Sequence, residues 1–348
     1  MHAEEMWKVS TGEGVTIAVI DTGVDDTLPD LQGQVLDGKN FTNQPGGAHI
    51  DAFNHGTQMA ALIAGTGKRS GGNGSFGLAP GAKILPLRVN DGTEAKNAEE
   101  GGRNFSETMS TAIRYAADSE AKILSISMGN EGDGAKIGEA VQHALAKGKL
   151  IFASVGNNGA KGNEVEYPAA APGVLGVAAV DRNGQATKES EHGPQVDLAA
   201  PGDEIVTACT GGTQLCKGHG TSDATALASA SAALIWSVHP TWTANQITRV
   251  LINTAGGPQS GEKRTDLIGY GAVRPRIALK DPGDPGPADV NPIGPESRSA
   301  AGEAQKPTAA SKDDDGPNST WIAWGIGAAV LLGAAITAPI LIARRRGI

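Results

Sequence analysis

Mostly apolar runs of six or seven residues recur along the first 180 positions, at 15–20, 84–89, 123–128, 150–155 and 174–180. They are rich in Val, Ile and Leu and are bounded by Gly, Asp or Asn, which predicts short strands buried on both faces. Helix-like stretches alternate with them and follow them, at 106–119, 135–147, 225–239 and 244–253. Thr243 stands where an N-cap is needed for the last of these, and Pro240 separates the last two. Strand and helix alternating in this way predict an α/β fold in three layers, with a parallel central sheet between helices. Such sheets bind ligands beyond the carboxyl ends of their strands. No internal repeat is visible.

The pattern changes after residue 280. Residues 281–320 hold seven prolines and only Val290 and Ile293 as branched apolar residues. That segment cannot bury enough surface to fold alone and reads as a disordered linker. Residues 321–343 then run for 23 positions without a charge. As a helix this run is about 35 Å long, enough to cross a bilayer. Trp321 and Trp324 suit one interface, and Arg344, Arg345 and Arg346 at the other end should stay cytoplasmic. The expected layout is a folded domain over 3–280, a linker over 281–320, a single transmembrane helix over 321–343 and a basic cytoplasmic tail over 344–348. This places the folded domain outside the cell membrane. Residues 1–7 have neither the basic start nor the apolar run of an export signal. The expectation is that a longer upstream reading frame encodes one.

Charge narrows the choice of partners. The chain carries −9 overall, and residues 1–320 carry −12, since all 38 acids but only 26 of the 29 Lys and Arg lie there. An acidic body with 4% aromatic residues argues against a nucleic-acid partner. Glycine supplies 49 of 348 residues without a Gly-X-Y period, so it serves turns and close approaches, not a collagen helix. The two cysteines, Cys209 and Cys216, flank Thr210-Gly211-Gly212-Thr213. They are either a disulfide across a hairpin or two free buried thiols, and an extracellular location favours the disulfide.

Three segments carry candidate chemistry. Asp21-Thr22-Gly23 follows the run 15–20, Asn54-His55-Gly56-Thr57 opens an apolar helical run, and Gly218-His219-Gly220-Thr221-Ser222 opens a long helix of small residues. A serine hydroxyl is a poor nucleophile unless an imidazole takes its proton, and a buried carboxylate must orient that imidazole. Asp, His and Ser in this chain order form one of the known arrangements of such a triad. The three blocks, in order and in matching strand or helix context, resemble the signatures of the subtilisin-like serine proteases over about residues 3–280. With the tail, the layout resembles the mycosin-type subgroup, membrane-anchored subtilases associated with type VII secretion in actinobacteria.

The resemblance implies a serine endopeptidase in which Ser222 attacks, His55 is the base and then the acid, and Asp21 orients it. It implies that Asn157, in Gly156-Asn157-Asn158-Gly159, donates to the oxyanion together with the Ser222 backbone N–H. Residues 125–129, with Ser125, Ser127 and Gly129, resemble the strand that pairs with an extended peptide. Glu166, just before Tyr167-Pro168, falls where the family places the floor of the pocket for the residue before the cleaved bond, and a carboxylate there would favour Lys or Arg. The expected partners are a protein or peptide substrate, the membrane through residues 321–343, and components of a secretion system. No cofactor and no metal are expected, because residues 69–78 do not match the calcium loop of secreted subtilisins.

This chain departs from the family at three places. Ala226 stands for a proline, Gln58 for a second histidine, and Asp223 for an apolar neighbour of the serine, where it would raise the His55 pKa or bias leaving-side specificity. Other readings are a membrane-anchored scaffold of a secretion complex with secondary protease activity, or an esterase or amidase on the same triad. An aspartic-protease reading of Asp21-Thr22-Gly23 fails because no second such block exists. His219, three residues before Ser222, is a rival base. Residues 90–104 read as a polar insertion overhanging the groove, and Asp313-Asp314-Asp315 as a solvated run.

Overall fold

A computed structural model describes residues 2–69, 74–92, 95–210 and 215–293. The expected transmembrane helix (321–343), the tail (344–348), residues 294–320 of the linker and the acidic run within it lie outside the described residues. Among the described residues no helix is long and apolar enough to cross a membrane.

After a short helix α1 (Ala3–Trp7), the chain alternates strand and helix: β1 (Thr16–Asp21), β2 (Lys39–Asn40), α2 (His55–Ala64), β3 (Lys83–Arg88), α3 (Ala98–Ala117), β4 (Ile123–Ile126), α4 (Gly134–Ala146) and β5 (Leu150–Ser154). Then come β6 (Leu175–Val180), β7 (Val196–Pro201), β8 (Ile205–Ala208), β9 (Leu215–Gly218), α5 (Thr221–Val238), α6 (Ala244–Thr254) and α7 (Pro275–Lys280). Seven strands form one parallel sheet in the order β2-β3-β1-β4-β5-β6-β7, and β8 and β9 make a separate antiparallel hairpin.

Alternation along each strand feeds two cores. Ile17 and Val19 of β1 pack with residues of α2, α5 and α6, while Ala18 and Ile20 pack with α3 and α4 on the opposite face. Helix α5 is buried nearly all round, which explains why its sequence has no polar stripe; its alanines and serines let it lie close to the sheet. The strand order reverses at β1. The chain moves from β1 out to β3, then crosses back to β4 on the other side of β1. A crevice opens at such a reversal, beyond the carboxyl ends of the strands. Asp21 ends β1 at that point.

All five expected strands form, with ends shifted by up to two residues. Strands β2 and β7 are additional to the expected ones, hidden by the polar or glycine residues within and around them, while the hairpin suggested by the cysteine pair forms as β8–β9. Helix α3 begins eight residues before the expected start, inside the stretch read as an insertion, because Asn97 caps it by accepting a hydrogen bond from Glu100 N at 2.9 Å. Thr243 caps α6 as expected, with Gln246 completing a capping box. Residues 281–293, the start of the expected linker, lie along α6. Arg249 donates to the carbonyls of Pro285, Pro287 and Val290, and Ile293 is buried in the core.

Candidate active site

The Asp-Thr-Gly and His-Gly-Thr blocks are laced together by their own hydroxyls. Asp21 Oδ1 accepts from the Thr22 backbone N at 2.8 Å and meets His55 Nδ1 at 2.7 Å. The Thr22 hydroxyl accepts from Gly56 N at 3.1 Å and donates to Asp51 Oδ1 at 2.8 Å. The other oxygen of Asp51 accepts from the Thr57 N and hydroxyl, at 2.8 and 2.6 Å, and so satisfies an N–H at the start of α2. Gly56 is required by packing: a Cβ there would lie 2.1 Å from the Gly23 carbonyl. These contacts hold the His55 ring, at the first position of α2, over a carboxylate that is 1% exposed.

The third block opens α5. Gly220 has φ +121°, a left-handed backbone that favours glycine, and a Cβ there would press on the Asn157 amide at 2.9 Å. Asn157 Oδ1 accepts from Thr221 N at 2.9 Å, which fixes the amide group against the start of α5 and leaves its NH₂ group to donate elsewhere. Asn157 and the N-terminus of α5 thus present donors side by side, next to Ser222. The Ser222 hydroxyl donates to the Ser127 carbonyl at 3.0 Å, and the Ser127 hydroxyl returns a bond to the Ser222 carbonyl at 3.0 Å. The serine is therefore parked on the neighbouring strand end and is not bonded to His55.

Burial works against a charged His55 ring, but the Asp21 charge and hydrogen bond, with the charges of Asp51 and Asp223, outweigh it and raise the imidazole to about 9. Burial pushes the Asp223 carboxyl up to about 6, against the charges of His55 and His219, which hold it down. The expectation that Asp223 supports the His55 cation agrees with this. His219 is 73% exposed at the rim, 3.7 Å from Glu189, and bonds to neither Ser222 nor Asp21.

The other expected site residues divide. Ser127 lies against Ser222, and Gly129 follows it on the same edge. Ser125 does not reach the crevice: it sits inside β4, paired with Val19 and Phe152 and 1% exposed, one strand repeat before Ser127, which lies past the strand end. The Glu166 carboxylate lies over Gly129. Cys209 and Cys216 are joined in a disulfide across the β8–β9 hairpin, with Cα atoms 5.8 Å apart. Thr210 beside it donates from N and Oγ1 to Asn54 Oδ1, tying the hairpin to the entrance of α2. Of the stretch read as an insertion, Asn90, Asp91, Gly92, Ala95 and Asn104 line, with Thr22, Phe53 and Arg88, a cavity of about 390 Å³ beside β1.

Two functional candidates escaped the sequence. Asp51 was signalled only as an acid shortly before a helix start. Glu191 sits in a polar run and gave no signal, yet it is fully buried beneath Gly156. Among the described residues no group of three His, Cys, Asp or Glu side chains converges as a metal site.

The family model described as the subtilase family matches residues 12–273. The chain is 35% identical over 214 residues to the major intracellular serine protease of Bacillus subtilis, a match covering 60% of this chain and 64% of that protein. Among solved structures it resembles the MycP3 protease from the type VII (ESX-3) secretion system, with a TM-score of 0.69 and 32% identity, covering 80% of this chain and 85% of that one. It also resembles a chain of the periplasmic assembly of the ESX-5 inner membrane complex, with a TM-score of 0.71 and 28% identity, covering 83% of this chain and 84% of that one. A parallel sheet whose order reverses at Asp21, and a match spanning all three signature blocks, agree: the chain belongs to the subtilase family.

Proposed function

We propose that this protein is a subtilisin-like serine endopeptidase, anchored in the cell membrane by residues 321–343 with residues 3–280 as an extracellular peptidase domain, and working beside a type VII secretion complex. The observation that carries the peptidase reading is the 2.7 Å contact of His55 with buried Asp21, with Ser222 next in sequence to Asp223, whose charge acts on His55. In the reaction the Ser222 hydroxyl leaves Ser127 O, gives its proton to His55 Nε2 and bonds to the peptide carbonyl carbon. The carbonyl oxygen becomes negative between the Asn157 NH₂ and the Ser222 N–H. His55 then passes its proton to the leaving amine as the C–N bond breaks. Water repeats the sequence on the acyl-enzyme, restoring Ser222 and releasing the acid. Ser127 and Gly129 are placed to pair with an extended substrate. No metal or cofactor has a part in these steps.

Membrane anchoring and topology rest on the uncharged run and its flanking Trp and Arg residues. Partnership with a secretion complex rests on the likeness to MycP3 and to the ESX-5 assembly chain.

A fluorophosphonate probe tests the reaction: it should modify Ser222 and no other residue. Labelling elsewhere, or none on a folded protein, would remove the reading. The pH dependence follows from His55. A proton held up to about 9 must be gone before the ring can act as base, so kcat/KM should climb about tenfold per pH unit and level off near 9. A profile already flat at pH 7 would contradict the charges assigned around His55.

A further inference from the structure

The β8–β9 hairpin stands outside the central sheet and connects two of the signature blocks. Strand β9 ends at Gly218, four residues before Ser222. The other strand, β8, runs on through Cys209 to Thr210, whose N and hydroxyl both donate to Asn54 Oδ1 at 2.9 Å. Asn54 directly precedes His55, the first residue of α2, yet its side chain makes no capping bond to that helix and serves the hairpin instead. Its φ of +62° is a left-handed backbone that favours glycine, so the turn into His55 gains from an outside tie. Asp21, Thr22 and Asp51 hold the ring and the first N–H groups of α2 from a different segment. The hairpin ladder stops at the pair Ala208 and Leu215, which leaves Cys209 and Thr210 beyond it. A two-stranded ribbon of four pairs is marginal by itself. The Cys209–Cys216 bond extends the closure past the last pair, and Thr210 is the next residue after Cys209.

We propose that Thr210 is a positioning residue for His55, acting through Asn54, and that the Cys209–Cys216 bond keeps it in place. This goes beyond the peptidase reading and rests on it. Cutting the tie leaves Asp21 to orient the ring but loosens the backbone that carries it, so Nε2 spends less time where it can take the Ser222 proton. That loss falls on the chemical step. Substrate pairing along 127–129 involves neither Thr210 nor Asn54, so KM is spared. The same coupling makes turnover depend on the redox state of the hairpin. A small dithiol attacks the Cys209–Cys216 bond, gives up two electrons and two protons, and leaves as a cyclic disulfide with two protein thiols behind. Cys216 is only half-buried, which admits such a reagent.

The test uses the full chain, with active serine counted by fluorophosphonate and kcat and KM measured before and after treatment with dithiothreitol. Asn54→Gly removes the acceptor while suiting the left-handed backbone, and should lower kcat about tenfold with KM unchanged. Thr210→Val removes one of the two bonds and should lower kcat less, and Thr210→Ser, which keeps both donors, should recover it. Reduction should lower the native kcat about tenfold but change that of Asn54→Gly little, because there the tie is already cut. Should Asn54→Gly not fold, Thr210→Val takes its place in that comparison, and reduction should slow it less than it slows the native enzyme. Reduction that slows the variant as much as the native enzyme, or a native kcat in both Asn54→Gly and Thr210→Val, overturns the inference and leaves the peptidase standing. A folded native chain that takes no label overturns both.

Discussion

Ser222→Ala lowers kcat on a peptide substrate by on the order of 10⁶, the magnitude known for subtilisin itself, while the protein stays folded. The two halves of that result have separate causes. The Ser222 hydroxyl makes one hydrogen bond, to the Ser127 carbonyl, so its removal costs about 1 kcal/mol of stability. The reciprocal bond from the Ser127 hydroxyl uses the Ser222 backbone carbonyl and survives the substitution. Asn157 stays anchored through Thr221, so a small residual rate, roughly 10³–10⁴ over water, persists from oxyanion binding and positioning. Steady-state turnover beside a thermal melt checks both halves. A variant keeping more than about 1% of native turnover would place the nucleophile elsewhere, since a lost triad serine leaves far less.

Asp21→Asn should be the next most damaging change, with kcat falling on the order of 10⁴ above pH 9. The structure indicates how. Oδ1 of Asp21 serves both Thr22 N and His55 Nδ1, while Oδ2 is buried with no partner. An asparagine keeps its carbonyl toward the two donors and turns its NH₂ into the orphaned position. The imidazole therefore keeps its tautomer and loses only the negative charge that stabilises its protonated form. With that charge gone, burial pushes the His55 pKa down, and the acid limb of kcat/KM moves from about 9 to lower pH. Measuring the profile of both proteins across pH 6–10 separates charge from geometry. A limb that stays near 9 in the variant would show that Asp21 is not what raises the histidine.

Much of the candidate site was readable from residue types at marked positions. Asp21 closes a buried strand, His55 and Ser222 open helices, and Asn157 follows a strand, so local pattern placed each at a functional end of its element. Ser125 shows where that reasoning stops. It shares a motif-like segment and a strand face with Ser127, and only pairing with β1 and β5 decides that Ser125 lies inside β4 while Ser127, past the strand end, meets Ser222. Asp51 and Glu191 show the opposite failure. Each is an ordinary acid in a polar stretch, and each matters only because a distant segment, the Asp-Thr-Gly turn or the Gly156 wall, folds over it.

The sequence by itself determined the layered α/β architecture, the five inner strands, the N-cap of α6 and the three candidate positions of a triad, because periodicity, turn residues and helix starts are local properties. Tertiary structure alone decided that Ser222 rests on Ser127, that Asp51 binds two signature blocks together, and that Glu191 is buried against Gly156. Those facts depend on side chains far apart in the chain meeting in space, and on how much water is excluded where they meet. Charge and burial act through distance, and distance between remote residues is not written in their order.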